Sequence, residues 1–106
     1  MYTLITAANS AKAHQLKSQL NAVNIILGDH LDLPAFMVSS GNLIRLPNPE
    51  SNTYTHEMLT LCLDKQINSV YVVRAEEEYL LKEAEQLFNE YGIEIIFSPW
   101  SIVDGQ

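Results

Sequence analysis

Short apolar, β-branched runs alternate along the chain with longer segments whose apolar positions recur every three or four residues. Continuous apolar stretches bounded by turn residues are typical of buried strands, so the short runs predict five of them. The predicted strands are Tyr2–Ala7, Asn24–Gly28, Leu43–Leu46, Val70–Val73 and Glu94–Phe97. Val70–Val73 is apolar at every position, which indicates a strand that is covered on both faces, as in a parallel sheet.

Three of the intervening segments have the spacing of amphipathic helices. Their apolar faces comprise Ala13, Leu16, Leu20 and Val23 in the first, Tyr54, Met58, Leu59, Leu61, Cys62 and Leu63 in the second, and Leu80, Ala84, Leu87, Phe88 and Tyr91 in the third. Asn9 or Ser10 can cap the first helix, Ser51–Thr53 can cap the second, and Gly92 is suited to end the third in a left-handed conformation. Residues 35–38 form either a short strand or a buried irregular turn.

This alternation of strands and helices predicts a single α/β domain that covers residues 1–106. A parallel sheet needs crossover helices, and right-handed crossovers place those helices on both faces of the sheet. We therefore predict a three-layer, Rossmann-like domain with strand order 3-2-1-4-5.

Charge and cysteine content narrow the range of partners and locations. Thirteen acidic residues against six basic ones give a net charge of −7, which argues against nucleic acids and anionic membrane surfaces as partners. The single cysteine, Cys62, cannot form an intramolecular disulfide. Met1–Thr6 lacks the basic region of a signal peptide, and no stretch approaches the ~20 apolar residues of a membrane span. We expect a cytoplasmic protein.

The predicted sheet brings four polar residues to the edge where ligands bind in open α/β sheets, outside the carboxyl ends of the strands. These residues are Asn9, Ser10, Asp29 and Arg74. We predict that Asn9, Ser10 and Arg74 hold a small anion while Asp29 contacts a hydroxyl group, because Arg presents a planar fork and a helix start presents backbone donors.

The alternative for this edge is that Arg74 pairs with a nearby acid such as Glu76 or Glu77. Such an exposed ion pair would be worth at most ~1 kcal/mol. In that interpretation Glu76–Glu78 is simply a solvated first helical turn, where acidic residues favour the positive end of the helix dipole.

Cofactor and metal chemistry lack their usual signatures in this sequence. The turn after the first strand has the position of a dinucleotide fingerprint, with Asp29 twenty residues beyond Asn9. It has none of the fingerprint's glycines, so we predict no tight binding of NAD or FAD and no other cofactor. Carboxylates and imidazoles at Asp29, His30, Asp32, His56 and Glu57 match no metal-ligand spacing, and we assign no metal site. No pair of nucleophile and base indicates a catalytic residue.

Several short motifs occur together over nearly the whole chain. They are Leu4-Ile5-Thr6-Ala7-Ala8, Ile26-Leu27-Gly28-Asp29 followed by Leu33-Pro34-Ala35, Ile44-Arg45-Leu46-Pro47, Asn68–Val73 ahead of Glu76–Glu78, and Phe88–Ile93 leading into Ile96–Pro99. In these motifs the sequence resembles the N-terminal pre-ATP-grasp domain of ATP-grasp ligases, of the carbamoyl-phosphate synthase large-subunit and biotin carboxylase type. In that family this domain is a scaffold, and later domains bind ATP and perform the acyl-phosphate chemistry. Only seven residues follow Pro99, so no ligase active site carries over to this sequence.

The resemblance implies a stand-alone, non-catalytic module that acts through protein contacts, with a separate ATP-grasp ligase as a candidate partner. The alternative is a binding or sensor domain for a small anionic ligand, a nucleotide or a carboxylate. A domain of this size has little core to spare, so we also expect a homodimer. The candidate contact surfaces are Phe36–Val38 and the segment around Trp100.

Overall fold

The computed structural model describes residues 1–8, 10–20, 24–30 and 43–97. The described strands are β1 (Tyr2–Ile5), β2 (Ile25–Asp29), β3 (Leu43–Arg45), β4 (Ile67–Val72) and β5 (Glu94–Phe97). They form one sheet in the order β3-β2-β1-β4-β5, and every neighbouring pair is parallel. The predicted α/β class and strand order are confirmed.

The helices are α1 (Ala11–Leu20), α2 (Tyr54–Asp64), α3 (Ala75–Glu83) and α4 (Glu85–Glu90). The last two replace the single helix that the sequence predicts after β4. At Ala84 the backbone N–H donates to the carbonyl of Leu81, three residues earlier, over 3.1 Å, which is the tightened turn common at helix ends. Gly92 follows with φ of 78° and takes the predicted left-handed position.

Hydrophobic clusters lie on both faces of the sheet, because successive strand residues point to opposite sides. Leu4 belongs to the larger cluster, with Met58 of α2 and Phe88 of α4. Its neighbour Ile5 belongs to the smaller cluster, with Leu16 of α1. The helices therefore cover both faces of the sheet, as predicted.

Most of the predicted apolar helix faces are buried, with two exceptions. Leu63 at the end of α2 is 46% exposed, and Tyr91 is 55% exposed because it lies past the end of α4. The prediction that these two side chains face the core is wrong. Val23 and residues 35–38 lie outside the described ranges.

None of the described helices is long and apolar enough to cross a bilayer.

Candidate functional site

The turn between β1 and α1 is closed by its own hydrogen bonds. The Ala8 N–H donates to the carbonyl of Gly28 over 2.9 Å, and the Ser10 N–H donates to the carbonyl of Ala7 over 2.9 Å. The Ser10 hydroxyl oxygen accepts from the N–H of Ala13 over 3.2 Å and so caps α1, as predicted. Ala7 has φ of 60°, a left-handed conformation that glycine adopts more easily. The backbone N–H groups of Ala8 and Ser10 therefore already have hydrogen-bond acceptors within the protein.

Asp29 and Arg74 meet directly at the carboxyl edge of the sheet. Asp29 ends β2, Arg74 follows β4, and both strands flank β1. The Arg74 guanidinium donates from Nη2 to Oδ2 over 2.8 Å and from Nε to Oδ1 over 3.2 Å. Asp29 is fully buried, whereas the Arg74 side chain is 22% exposed. The hydrogen bonds with Asp29 raise the pKa of Arg74.

This geometry corrects the expectation of an exposed ion pair at Arg74. The acid held in the bidentate contact is Asp29, 45 residues earlier in the chain, and that carboxylate has no solvent exposure. Removing one partner of a buried pair leaves an uncompensated charge, which costs several kcal/mol rather than at most ~1 kcal/mol. Asn9 lies outside the described residues, and the ligand-binding roles of Ser10, Asp29 and Arg74 stay predictions.

Glu77, in the first turn of α3, is fully buried. The Tyr54 hydroxyl donates to its Oε1 over 3.0 Å, while Oε2 has no hydrogen-bond partner in the described part of the chain. Burial raises the pKa of Glu77 to about 7, although the bond from Tyr54 and the charge of Arg74 act in the opposite direction. Burial also raises the pKa of Tyr54. The prediction of a solvated acidic turn is therefore wrong for Glu77.

A signal for the burial of Glu77 is present in the sequence. Leu81 follows four residues later and is fully buried, and residues four apart lie on the same face of a helix. Glu76 precedes Leu80 by the same four residues, but Leu80 is only partly buried and Glu76 is exposed. Because Glu76, Glu77 and Glu78 are the same residue type, the run itself does not show that only Glu77 is fully buried.

A cavity of about 290 Å³ opens beside these residues, between the end of β2, the loop after β3 and the start of α3. It is lined by His30, Asn48, Pro49, Glu50, Glu76, Tyr79 and Leu80. The ring nitrogen Nε2 of His30 is buried and has no hydrogen-bond partner among the described residues. Buried polar atoms without partners are rare in folded proteins, so the unsatisfied imidazole of a lining residue singles out this cavity as a candidate binding site.

The described residues give neither a metal cluster nor an activated nucleophile. No three His, Cys, Asp or Glu side chains within these ranges lie close enough to hold a metal ion, and Asp32 lies outside them. His56 and Glu57 line a separate cavity of about 490 Å³ beside Arg45. Burial raises the pKa of the Cys62 thiol to about 12, so it stays protonated at neutral pH, whereas the nucleophile would be the thiolate.

Comparison with known proteins adds no family to this picture. No protein-family model and no curated protein matches the sequence. Function is therefore inferred from the site alone. What the site offers is a small concave space at the strand ends, with a buried ion pair, a buried carboxylic acid and an unsatisfied imidazole around it.

Proposed function

We propose that this chain is a non-catalytic binding domain that takes a small molecule in the cavity at the carboxyl edge of its sheet. The observation that carries the proposal is that His30, which lines that cavity, has a buried Nε2 with no hydrogen-bond partner among the described residues. The position agrees with the general rule for open α/β sheets, in which ligands bind beyond the strand ends where the strand order reverses. Here that reversal lies between β1 and β4.

The size of the cavity limits the ligand to a small molecule. A volume of about 290 Å³ holds on the order of ten non-hydrogen atoms, at the ~30 Å³ that one water molecule occupies in the liquid. Binding sites for drug-sized ligands begin at about this volume. The volume fits an amino acid or a small amine better than an intact dinucleotide.

The charges around the cavity favour a ligand with a basic group. Glu50 and Glu76 line it, and none of its described lining residues is Lys or Arg. Arg74, the nearby cation, faces the buried carboxylate of Asp29 at 2.8 Å, which offsets its charge. Tyr79 presents a ring that is 69% exposed, and the face of an aromatic ring attracts cations. We therefore propose a small amine as the ligand class, in place of the anion that the sequence alone predicts.

The resemblance to the pre-ATP-grasp domain stays a separate proposal. The sheet order found here is the one that the resemblance implies, but the same order occurs in many Rossmann-like domains of unrelated function. It supports the scaffold role and does not distinguish a ligase partner from any other. Binding in the cavity is compatible with such a role.

The test is a pair of NMR titrations of ¹⁵N-labelled protein, one with butylamine and one with butyrate. The two probes have similar apolar tails and opposite charges, so they isolate the effect of the charged group. We expect butylamine to shift the backbone amides of His30, Glu76 and Tyr79, and butyrate to leave them in place.

The variant Glu76→Gln should weaken butylamine binding, because it removes one lining carboxylate. Glu83→Gln, on the same helix but absent from the cavity wall, is the matched control and should bind as the wild type does. If butyrate shifts the His30 amide instead, the anion prediction centred on Arg74 is favoured. If neither probe shifts these amides, the cavity is not a binding site for this class of ligand.

A further inference from the structure

The large hydrophobic side chains that are exposed in the described residues lie mostly at the edge of the sheet opposite the cavity. Tyr79 is at the carboxyl edge. The other four are Met1, Tyr2, Leu63 and Tyr91, which are 75%, 40%, 46% and 55% exposed. In a parallel α/β sheet the strand starts and helix ends lie at one edge, so the residues flanking β1, β4 and β5 meet there. We name these four side chains the amino-edge patch.

A cavity of about 360 Å³ lies within the amino-edge patch. Met1, Leu63 and Tyr91 stand at its rim, and its floor includes the buried side chains of Ile67 and Ile93. None of the residues that line it is Asp, Glu, Lys, Arg or His. The patch therefore combines projecting apolar side chains with an adjacent hollow that no charged side chain lines.

The charge of the chain indicates what can cover this patch. Two copies of a chain with net charge −7 repel each other unless their contact excludes the carboxylates, since like charges across an interface are costly. The side chains that line the cavity of about 360 Å³ meet that condition, since none of them is a carboxylate; the exposed Asp64 and Glu90 are sequence neighbours of Leu63 and Tyr91 but are not among the lining residues. A partner that binds through basic side chains would find no carboxylate in that lining to pair with.

The area of the patch is also appropriate for a contact between copies. A Tyr side chain buries about 150–250 Å² when it is covered completely, so the exposed parts of the four side chains amount to roughly 400 Å². That is about half of the ~800 Å² that each partner contributes to a standard interface, and it forms the apolar centre that such interfaces have. The largest apolar patch on a typical monomeric protein is ~300–600 Å² and is often functional, and the amino-edge patch falls within that range.

We propose that a second copy of this chain docks on the amino-edge patch to form a twofold homodimer. A twofold contact requires the same surface on both subunits to be complementary to itself. Here a projecting Met1 or Tyr91 side chain of one copy can enter the hollow of the other. The proposal does not depend on the ligand-binding function, because the cavity lined by His30 lies at the opposite edge of the sheet.

Analytical ultracentrifugation of the full chain over a wide range of concentrations tests this proposal. The wild type should sediment as a reversible dimer. Leu63→Glu and Tyr91→Glu each place two like charges near the twofold axis, and each should raise the dimer dissociation constant at least about tenfold, as loss of a central contact does. Both side chains are already half exposed, so far-UV circular dichroism should show an intact fold.

Tyr79→Glu is the matched control, because it makes the same change at an exposed aromatic residue on the other edge. It should leave the dimer dissociation constant unchanged. A wild type that stays monomeric at every concentration overturns the proposal. A dimer that Leu63→Glu and Tyr91→Glu do not weaken also overturns it, and would direct attention to Phe36–Val38 or Trp100. Neither result bears on butylamine binding, which the Leu63 and Tyr91 variants should retain.

Discussion

Replacing Glu77 by Gln should remove a pH dependence of stability that originates in one buried carboxyl group. Burial raises the pKa of Glu77 from its ordinary 4.5 to about 7. At about 1.4 kcal/mol for each pH unit, this rise corresponds to ~3 kcal/mol of free energy that opposes ionisation in the folded protein. The folded state binds the proton more tightly than the unfolded state does. The resulting stabilisation is complete below pH 4.5 and is lost as the pH rises through about 7.

Gln keeps the shape and an oxygen that can accept from the Tyr54 hydroxyl, but it cannot ionise. At about pH 5 the wild type and Glu77→Gln should differ in unfolding free energy by no more than ~1 kcal/mol, the value of one hydrogen bond. At about pH 8 the variant should be the more stable by ~1–3 kcal/mol, because it avoids the buried charge while losing the stronger bond from Tyr54 to a carboxylate. The charged groups that act on Glu77 are Arg74, Asp29 and Glu76, and all are present in both proteins.

Urea denaturation followed by far-UV circular dichroism, at several pH values between about 5 and 8, measures the difference directly. Glu83→Gln is the matched control, since Glu83 is an exposed residue of the same helix and is not among the charged groups that act on Glu77. Its unfolding free energy should follow that of the wild type at each pH, apart from a small constant offset. If Glu77→Gln and the wild type show the same slope against pH, Glu77 does not titrate in this range and the reasoning from its burial fails.

Two further predictions concern packing and charge near the same edge. Arg74→Met should lower the unfolding free energy by ~3–5 kcal/mol because it removes the cation that is paired with the buried Asp29 carboxylate. The double variant Asp29→Asn/Arg74→Met should recover much of that loss, and equal losses in the single and double variants would show that the ion pair is not the cause. Gly28→Ala should cost ~1–3 kcal/mol, because a Cβ there would lie 2.8 Å from Cγ and Cδ2 of the buried Leu46. A double-mutant cycle with Leu46→Ala should show favourable coupling between the two changes in urea denaturation, and simple additivity would contradict the clash.

The sheet could be predicted from the sequence because its determinants are local and repetitive. Each strand is a short apolar run, each helix has an apolar face, and the handedness of crossovers leaves few arrangements. Boundaries were less predictable, since β4 begins at Ile67, before the continuous apolar run Val70–Val73. The break at Ala84 was hidden because the apolar spacing continues across it.

The contacts at the carboxyl edge were much harder to predict. Asp29 and Arg74 both reach this edge by position in the strand order, but the sequence does not show that they satisfy each other. That pairing depends on the separation of two strand ends across β1, which is a property of the folded sheet. The burial of Glu77 depends in the same way on Tyr54, 23 residues away on another helix. The pattern of a single sequence shows which face of a helix or strand is apolar. It says little about which helices and strands pack together around a buried polar side chain.

The two edges of the sheet depart from ordinary packing in opposite ways, and this difference supports separate roles for them. The carboxyl edge buries groups that are costly to bury, namely the Asp29 carboxylate, the Glu77 oxygen Oε2 and the His30 nitrogen Nε2. Asp29 is paired with Arg74, whereas the Glu77 oxygen and the His30 nitrogen have no hydrogen-bond partner in the described part of the chain. Unsatisfied buried groups, like strained backbone, tend to persist at functional sites.

The amino edge instead exposes groups that are costly to expose, in the four side chains of the amino-edge patch. A left-handed residue occurs at each edge, but their surroundings differ: Gln66 is an exposed residue after α2, whereas Ala7 is buried. Left-handed conformations are common just beyond helix ends, so Gln66 needs no functional explanation, and Ala7 belongs with the strained features of the carboxyl edge. The desolvated polar atoms are the reason for proposing a small ligand at the carboxyl edge, and the solvated apolar side chains are the reason for proposing a second copy of the chain at the amino edge.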